Sequence, residues 1–179
     1  MRDNLVLIGM MGAGKSAIGA ELARRLSVPH VDADTEIERA AAMTIPEIFA
    51  RDGEDFFRAR ESQVLARILS RGPRVVSTGG GAWMRAENRA VIREHGLALW
   101  LDVDAETLWD RVRARAGRPL LLTDDPRGTL ERLLAQRNPV YARADLTVRS
   151  GPRDSVEATT ARVIEALRSQ RPAFLEDAE

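Results

Sequence analysis

Residues 5–16 read Leu5-Val-Leu-Ile-Gly9-Met-Met-Gly12-Ala-Gly14-Lys15-Ser16. An apolar run meets a glycine-rich turn, and an amphipathic pattern at Ile18, Leu22 and Leu26 follows, so the predicted order is strand, loop, helix. Gly9, Gly14, Lys15 and Ser16 keep the spacing G-x-x-x-x-G-K-[ST]. Glycines let the backbone turn its N–H groups inward around oxyanions, at the positive end of the coming helix. Gly12, Ala13, Gly14, Lys15, Ser16 and Ala17 are therefore the expected cradle for the phosphates of a nucleoside triphosphate. Lys15 would reach the β and γ phosphates, and the Ser16 hydroxyl would ligate Mg²⁺. Lys15 is also the only lysine in the chain, every other basic residue being arginine. The site needs a compact, rotatable ammonium, which a planar guanidinium does not replace. A glycine-rich turn with no ligand is the plain alternative, and the flanking strand and helix patterns argue against it.

Working outward, 179 residues with 44% hydrophobic content suit one core and are few for two, so a single domain spanning 1–179 is expected. The formal net charge is zero, with acids and bases interspersed; no nucleic-acid footprint or membrane-binding face is expected. Any anionic ligand must be held by local arginines. There is no cysteine, which excludes disulfides and thiol chemistry. No secretory leader pattern and no apolar run of about 20 residues is present, so a cytoplasmic protein is expected.

After the first helix, His30-Val31 leads into Asp32-Ala33-Asp34, read as a short strand ending in two acids. On an extended chain the two share a face, so one could hold the metal through water while the other faces a substrate hydroxyl. The plainer reading makes Asp34 the N-cap of a helix over 35–42. Thr44 and Glu47 form a capping-box pattern for a short helix ended by Gly53, and a longer helix follows over 54–70. Arg58 and Glu61 are neighbours on it, a pair that by itself reads as a solvated salt bridge. A strand over 74–78 runs into Gly79-Gly80-Gly81; three glycines there point to something approaching the backbone closely. Further elements are a helix over 86–94, a strand over 97–102, a helix from Asp104 to about 116 with Arg111 facing outward, and a lid-like loop over about 113–126. A helix over 126–141 should kink or end its regular bonding at Pro139. A strand over 146–148 and a final helix from 154 or 155 to about 168 complete the order, with a tail over 171–179 expected to fray. Alternating buried strands and helices give a three-layer α/β sandwich on a parallel sheet.

Together these motifs resemble the shikimate kinase family of small P-loop kinases, which is related to the nucleoside monophosphate kinases. The likeness rests on Gly9 to Ser16, Asp32-x-Asp34, Gly53-Glu-x-x-Phe57-Arg58-x-x-Glu61, Gly79-Gly80-Gly81, Arg118-Pro119-Leu120-Leu121 and Arg137-Asn-Pro-Val-Tyr141, in that order. The resemblance implies a five-stranded parallel sheet of order 2-3-1-4-5. It further implies transfer of the γ-phosphoryl group of ATP, with Mg²⁺, to the 3-hydroxyl of shikimate, in the pathway to chorismate and aromatic amino acids. Carried over by position, Asp34, Arg58, Gly79, Gly80, Gly81 and Arg137 would hold shikimate, with Ser16 and Asp32 at the metal. Lys15, Asp34 and Arg118 would be catalytic, Arg118 from the lid. Arg111 would stack on adenine, with Arg153 the one residue named for the opposite wall. A monomer is expected.

The chemistry is coherent without the name. A cyclic polyhydroxy acid needs arginine forks for its carboxylate, and Arg58 and Arg137 offer two; its attacking hydroxyl needs a carboxylate, and Asp34 offers one. A related gluconate kinase has no reason to keep Arg58, the triple glycine and Arg137 together. A non-catalytic binding module has no reason to keep Lys15, Asp34 and Arg118. Lys15→Arg is expected nearly to abolish phosphoryl transfer while the circular dichroism spectrum stays that of the parent.

Overall fold

The computed structural model describes residues 1, 3–113 and 123–176. Strand β1 (Asn4–Ile8) is buried along its whole length and sits at the centre of a five-stranded sheet. Its partners are β2 (His30–Asp32), β3 (Val75–Ser77), β4 (Gly96–Asp102) and β5 (Leu146–Arg149), in the order β2-β3-β1-β4-β5. All four pairings are parallel, which is the order and direction expected. A strand covered on both faces has to be apolar at every position, and Leu5, Val6, Leu7 and Ile8 meet that demand at 0% exposure.

Alternation divides those residues between two cores. Leu5 and Leu7 face Ile18 and Leu22 of α1 (Lys15–Leu26) together with Val163 and Leu167 of α7 (Val156–Gln170). Val6 and Ile8 face Ile37 of α2 (Ala33–Ala41), Phe57 and Leu65 of α3 (Ile45–Leu69) and Ile92 of α4 (Ala86–His95). Helices α5 (Ala105–Val112) and α6 (Pro126–Tyr141) add Leu108, Val112, Leu130 and Leu134 to the first core. Because the strands are parallel, the loops after β1, β2, β3 and β5 gather at one edge of the sheet, where ligands of such sheets bind. Among the described residues no helix is long and apolar enough to cross a membrane.

Local chemistry accounts for most boundaries. Thr44 and Glu47 close a reciprocal capping box at the start of α3, with Pro46 in its first turn. Gly53, at φ 81 and ψ 172, breaks α3 into the two arms expected. Asp104, Asp125 and Ser155 each accept a backbone N–H at the start of α5, α6 and α7.

Two expectations are corrected. Asp34 is not on an extended chain: β2 stops at Asp32, and Asp34 stands in the first turn of α2. The cap of that helix is Asp32, whose side chain accepts from the N–H groups of Asp34 and Thr35. Helix α6 runs from Pro126 to Tyr141 as expected, with Pro139 inside it; at its end, bonds from the N–H groups of Ala142, Arg143 and Ala144 close the carbonyls of Asn138, Val140 and Tyr141. The stretch from Arg171 is not simply frayed, because Pro172–Leu175 forms a short helix α8 and Phe174, 9% exposed, joins the first core. The lid residue Arg118 and most of the loop expected over 113–126 lie outside the described residues.

Asn4 ties the layers together. It is 2% exposed, and its Nδ2 donates to the carbonyls of Leu69, at the end of α3, and His95, at the end of α4 (3.0 and 2.7 Å). Asn4→Ala would leave two C-terminal carbonyls without that donor, and urea denaturation should show a loss of roughly 2–4 kcal/mol with an unchanged m-value.

Candidate active site

The turn from β1 into α1 is a conformational necessity before it is a binding site. Gly9, Gly12 and Gly14 sit at φ 137, 82 and 93, values that side chains other than glycine's rarely allow. Gly14 caps α1 without any side-chain hydrogen bond, so the first N–H groups of the helix remain to be satisfied by an anion. Lys15 is 8% exposed, and its Nζ donates to the carbonyls of Gly9 and Met10 (2.8 and 2.9 Å). This loop forms one wall of a cavity of about 510 Å³.

The far wall of that cavity is built by Arg111 and by Ser150, Asp154, Ser155, Val156 and Thr159. Arg111 is not a freely solvated side chain. Its guanidinium reaches the carbonyls of Gly12 and Gly151 (3.4 and 3.1 Å), joining the glycine loop to the loop after β5. Arg153 is exposed and does not line the cavity; Asp154 beside it does, accepting the N–H of Gly151 and pairing with Arg162. The sequence placed this wall at Arg111 and within 151–155 but named Arg153 in place of Asp154 and Ser155, because these residues are small or common polar types with no spacing of their own.

Ser16 and Asp32 come together as expected, with Ser16 Oγ donating to Asp32 Oδ2 at 2.5 Å. Asp32 divides its work: Oδ1 caps α2 and Oδ2 accepts the Ser16 hydroxyl. Two hard oxygens, a hydroxyl and a carboxylate, fit Mg²⁺, which keeps most of its shell as water and phosphate oxygen.

A second cavity, of about 280 Å³, brings Asp34, Arg58, Glu61, Arg137 and Gly79 to Gly81 together, with Phe49 and Phe57 at its side. The three glycines have no positive φ; what they supply is room. A Cβ on Gly81 would lie 2.5 Å from the Arg58 guanidinium, and one on Gly79 2.8 Å from Asp34 Oδ1 and 3.2 Å from Glu61 Oε1. On Gly80 it would lie 3.4 Å from Arg137 Nη1. Tyr141, fully buried, fixes the loop by donating its hydroxyl to the Gly80 carbonyl. Arg137, 9% exposed, reaches this place from the last turns of α6.

Arg58 and Glu61 are paired at 2.9 Å, but Glu61 is only 2% exposed, so the expectation of a solvated surface pair fails. Burial raises the pKa of Glu61, opposed by Arg58. Its Oε1 and the Oδ1 of Asp34 are both buried without a hydrogen bond from the described residues, polar atoms of a kind that rarely stay unsatisfied. The two cavities share Met11, Asp34, Gly79 and Gly80, so a group bound in one abuts a group bound in the other at Asp34.

Comparison with known proteins agrees with this geometry. The model of the shikimate kinase family matches residues 11–168. The chain belongs to the shikimate kinase family. It is 58% identical over 179 residues to the shikimate kinase of Cereibacter sphaeroides, covering 100% of this chain and 89% of that one. The shikimate kinase of Ruegeria pomeroyi is 53% identical over 171 residues, covering 96% and 88%. The structure superposes with a TM-score of 0.91 on a shikimate kinase from Acinetobacter baumannii in complex with shikimate, at 35% identity and 96% coverage of both chains.

Within this shikimate kinase family member Asp34 is an acid whose charged form the site strongly disfavours. Burial, then the negative charges of Asp32 and Glu61, raise its pKa from 3.8 to about 6. A folded-state value above the unfolded one means that the stability linked to its proton is present below the unfolded pKa and is lost as pH rises through the folded one. Asp34→Asn, always neutral, is therefore expected to exceed the parent in stability by on the order of 1–3 kcal/mol at pH 8. The gap should close on acidification toward pH 4, which denaturant melts at several pH values would show; a gap independent of pH would assign the effect to packing.

Proposed function

We propose that the chain catalyses ATP-dependent phosphorylation of the 3-hydroxyl of shikimate, giving shikimate 3-phosphate for chorismate and aromatic amino-acid synthesis. The observation that carries this reading is the meeting of the two cavities at Asp34, Gly79 and Gly80. One is lined by the phosphate-binding turn and the other by two arginines and a raised-pKa acid. Arg58 and Arg137 hold the substrate carboxylate, and the backbone of Gly79 to Gly81 and Asp34 hold the ring hydroxyls. The gluconate kinase alternative explains neither the second arginine nor the room that the three glycines leave for it.

Lys15 turns from the Gly9 and Met10 carbonyls to the β and γ phosphates of ATP, whose chain follows the loop N–H groups. Ser16 and Asp32 would hold Mg²⁺, which would supply positive charge to offset that of the transferring phosphates. Asp34 orients the acceptor hydroxyl toward the γ phosphorus and takes its proton as the new P–O bond forms and ADP leaves; a carboxyl titrating near pH 6 is ionised at neutral pH yet basic enough for the task. Arg111 and the loop after β5 hold the adenine end. Arg118, outside the described residues, would add a cation to the transferring group. One domain, acting as a monomer in the cytoplasm, completes the proposal.

A coupled assay with shikimate, quinate and gluconate tests the substrate; gluconate turnover above shikimate turnover would overturn it. Removing the Arg137 contact should raise the KM for shikimate about 10- to 150-fold, the worth of one charge-assisted contact, and leave that for ATP nearly unchanged. Arg137→Lys should restore only part, since a point charge lacks the bidentate fork. With a shikimate amide in place of the acid, the loss from Arg137→Ala should not add to the loss from the amide. Arg58→Ala is the less clean variant, because it strands the buried carboxylate of Glu61.

A further inference from the structure

Beneath the phosphate-binding turn lies a polar contact that the mechanism above does not use. Gly19 is in the middle of α1, where glycine costs about 1 kcal/mol relative to alanine, so its presence calls for a reason. It is not conformational, since Gly19 has no positive φ. A Cβ at this position would lie 2.5 Å from Ser77 Oγ and 2.8 Å from His30 Nε2. The helix has given up a side chain so that it can approach those two polar atoms.

Ser77 is the last residue of β3 and is 1% exposed. Its hydroxyl donates to the backbone carbonyl of Lys15 at 2.9 Å and lies 3.0 Å from His30 Nε2. A serine has one proton. With that proton on the Lys15 carbonyl, the serine oxygen is the acceptor and His30 the donor, which sets the ring in its Nε2–H form. Burial lowers the His30 pKa, against the raising influence of Asp32.

The arrangement extends further. His30 and Asp32 are alternate residues of β2 and share a face; Asp32 holds the Ser16 hydroxyl while His30, through Ser77, holds the Lys15 carbonyl. Two consecutive residues of the turn are thus tied to the two strands beside it. Ser77 is also separated only by Thr78 from Gly79, and Thr78 is itself bonded through both N–H and Oγ1 to the Leu7 carbonyl. The path from the lysine to the glycine loop is short: the hydrogen bond from Ser77 to the Lys15 carbonyl, then the backbone through Thr78, itself anchored on β1.

We propose that Ser77 and His30, with the clearance left by Gly19, are positioning residues that fix the backbone of Lys15 relative to the Gly79 to Gly81 loop, and so set the register between phosphoryl donor and acceptor. The proposal rests on the kinase reading for its catalytic consequence, but its first readout is nucleotide binding without acceptor. The experiment uses the whole chain and a non-hydrolysable ATP analogue with Mg²⁺, measured by calorimetry, beside steady-state kinetics and thermal melts.

Ser77→Ala and His30→Leu should each weaken analogue binding and lower kcat by about tenfold, the worth of one hydrogen bond, with the KM for shikimate within about twofold of the parent. His30→Gln, which keeps an N–H donor, should recover most of the loss. Gly19→Ala gives the opposing test. If the contact is slack, alanine raises the melting temperature through helix propensity and leaves turnover alone; if the contact positions Lys15, alanine lowers both binding and kcat. Unchanged analogue affinity and kcat in all four variants, or equal behaviour of His30→Leu and His30→Gln, would overturn the proposal. A parent enzyme that binds the analogue but does not phosphorylate shikimate would refute the kinase reading instead, and the binding data would still decide this one.

Discussion

A polyanion has to be held by a chain whose own charges sum to zero, and one turn of backbone carries most of that burden. Between β1 and α1 the chain must reverse its N–H groups toward a common point, which calls for positive φ at Gly9, Gly12 and Gly14, and it must do so at a helix start that has no side-chain cap. Such a turn holds its shape only if both flanks are rigid. The fully buried β1 provides one flank; α1, packed through Ile18 and Leu22 on the first core, provides the other. The rest of the fold can be understood as support for this strand and this helix.

The second cavity rests on a different compromise. Asp34, Glu61, Arg58 and Arg137 are crowded into a space that exists because three successive residues lack a Cβ. Two carboxylate oxygens are buried without partners among the described residues, and the ionisation of Asp34 is opposed by burial and by neighbouring acids. A core built for stability alone would satisfy or discard those groups. Their retention, beside a glycine loop pinned by Tyr141, marks a place where stability has been exchanged for preorganised chemistry. Asp32 shows the economy of the same edge, since one carboxylate both starts a helix and faces the phosphate-binding cavity.

Much of this was legible in the order of residues. Positive-φ glycines followed by Lys15 and Ser16 identify the turn because only glycine takes those backbone angles freely, and the buried strands read as apolar runs because both faces are covered. The capping box at Thr44 and the break at Gly53 are local chemistry as well. The sequence motifs, taken together, also named the family and the residues Asp34, Arg58 and Arg137 that line one cavity.

What only the tertiary structure decided concerns contacts between elements distant in the chain. The spacing of Asp32 and Asp34 could not show that the strand ends at the first and that a helix already carries the second, since that depends on where β3 stops pairing with β2. Nothing local distinguishes Arg58 and Glu61 from a surface pair; their burial comes from the loop after β3 and the end of α6 closing over them. Gly19, an unremarked glycine in a helix, acquires its meaning from Ser77 and His30 on two other elements. Spacing along the chain reports what a residue can do to its own backbone, whereas burial, charge crowding and clearance are properties of the space between elements, and they exist only once the sheet has assembled.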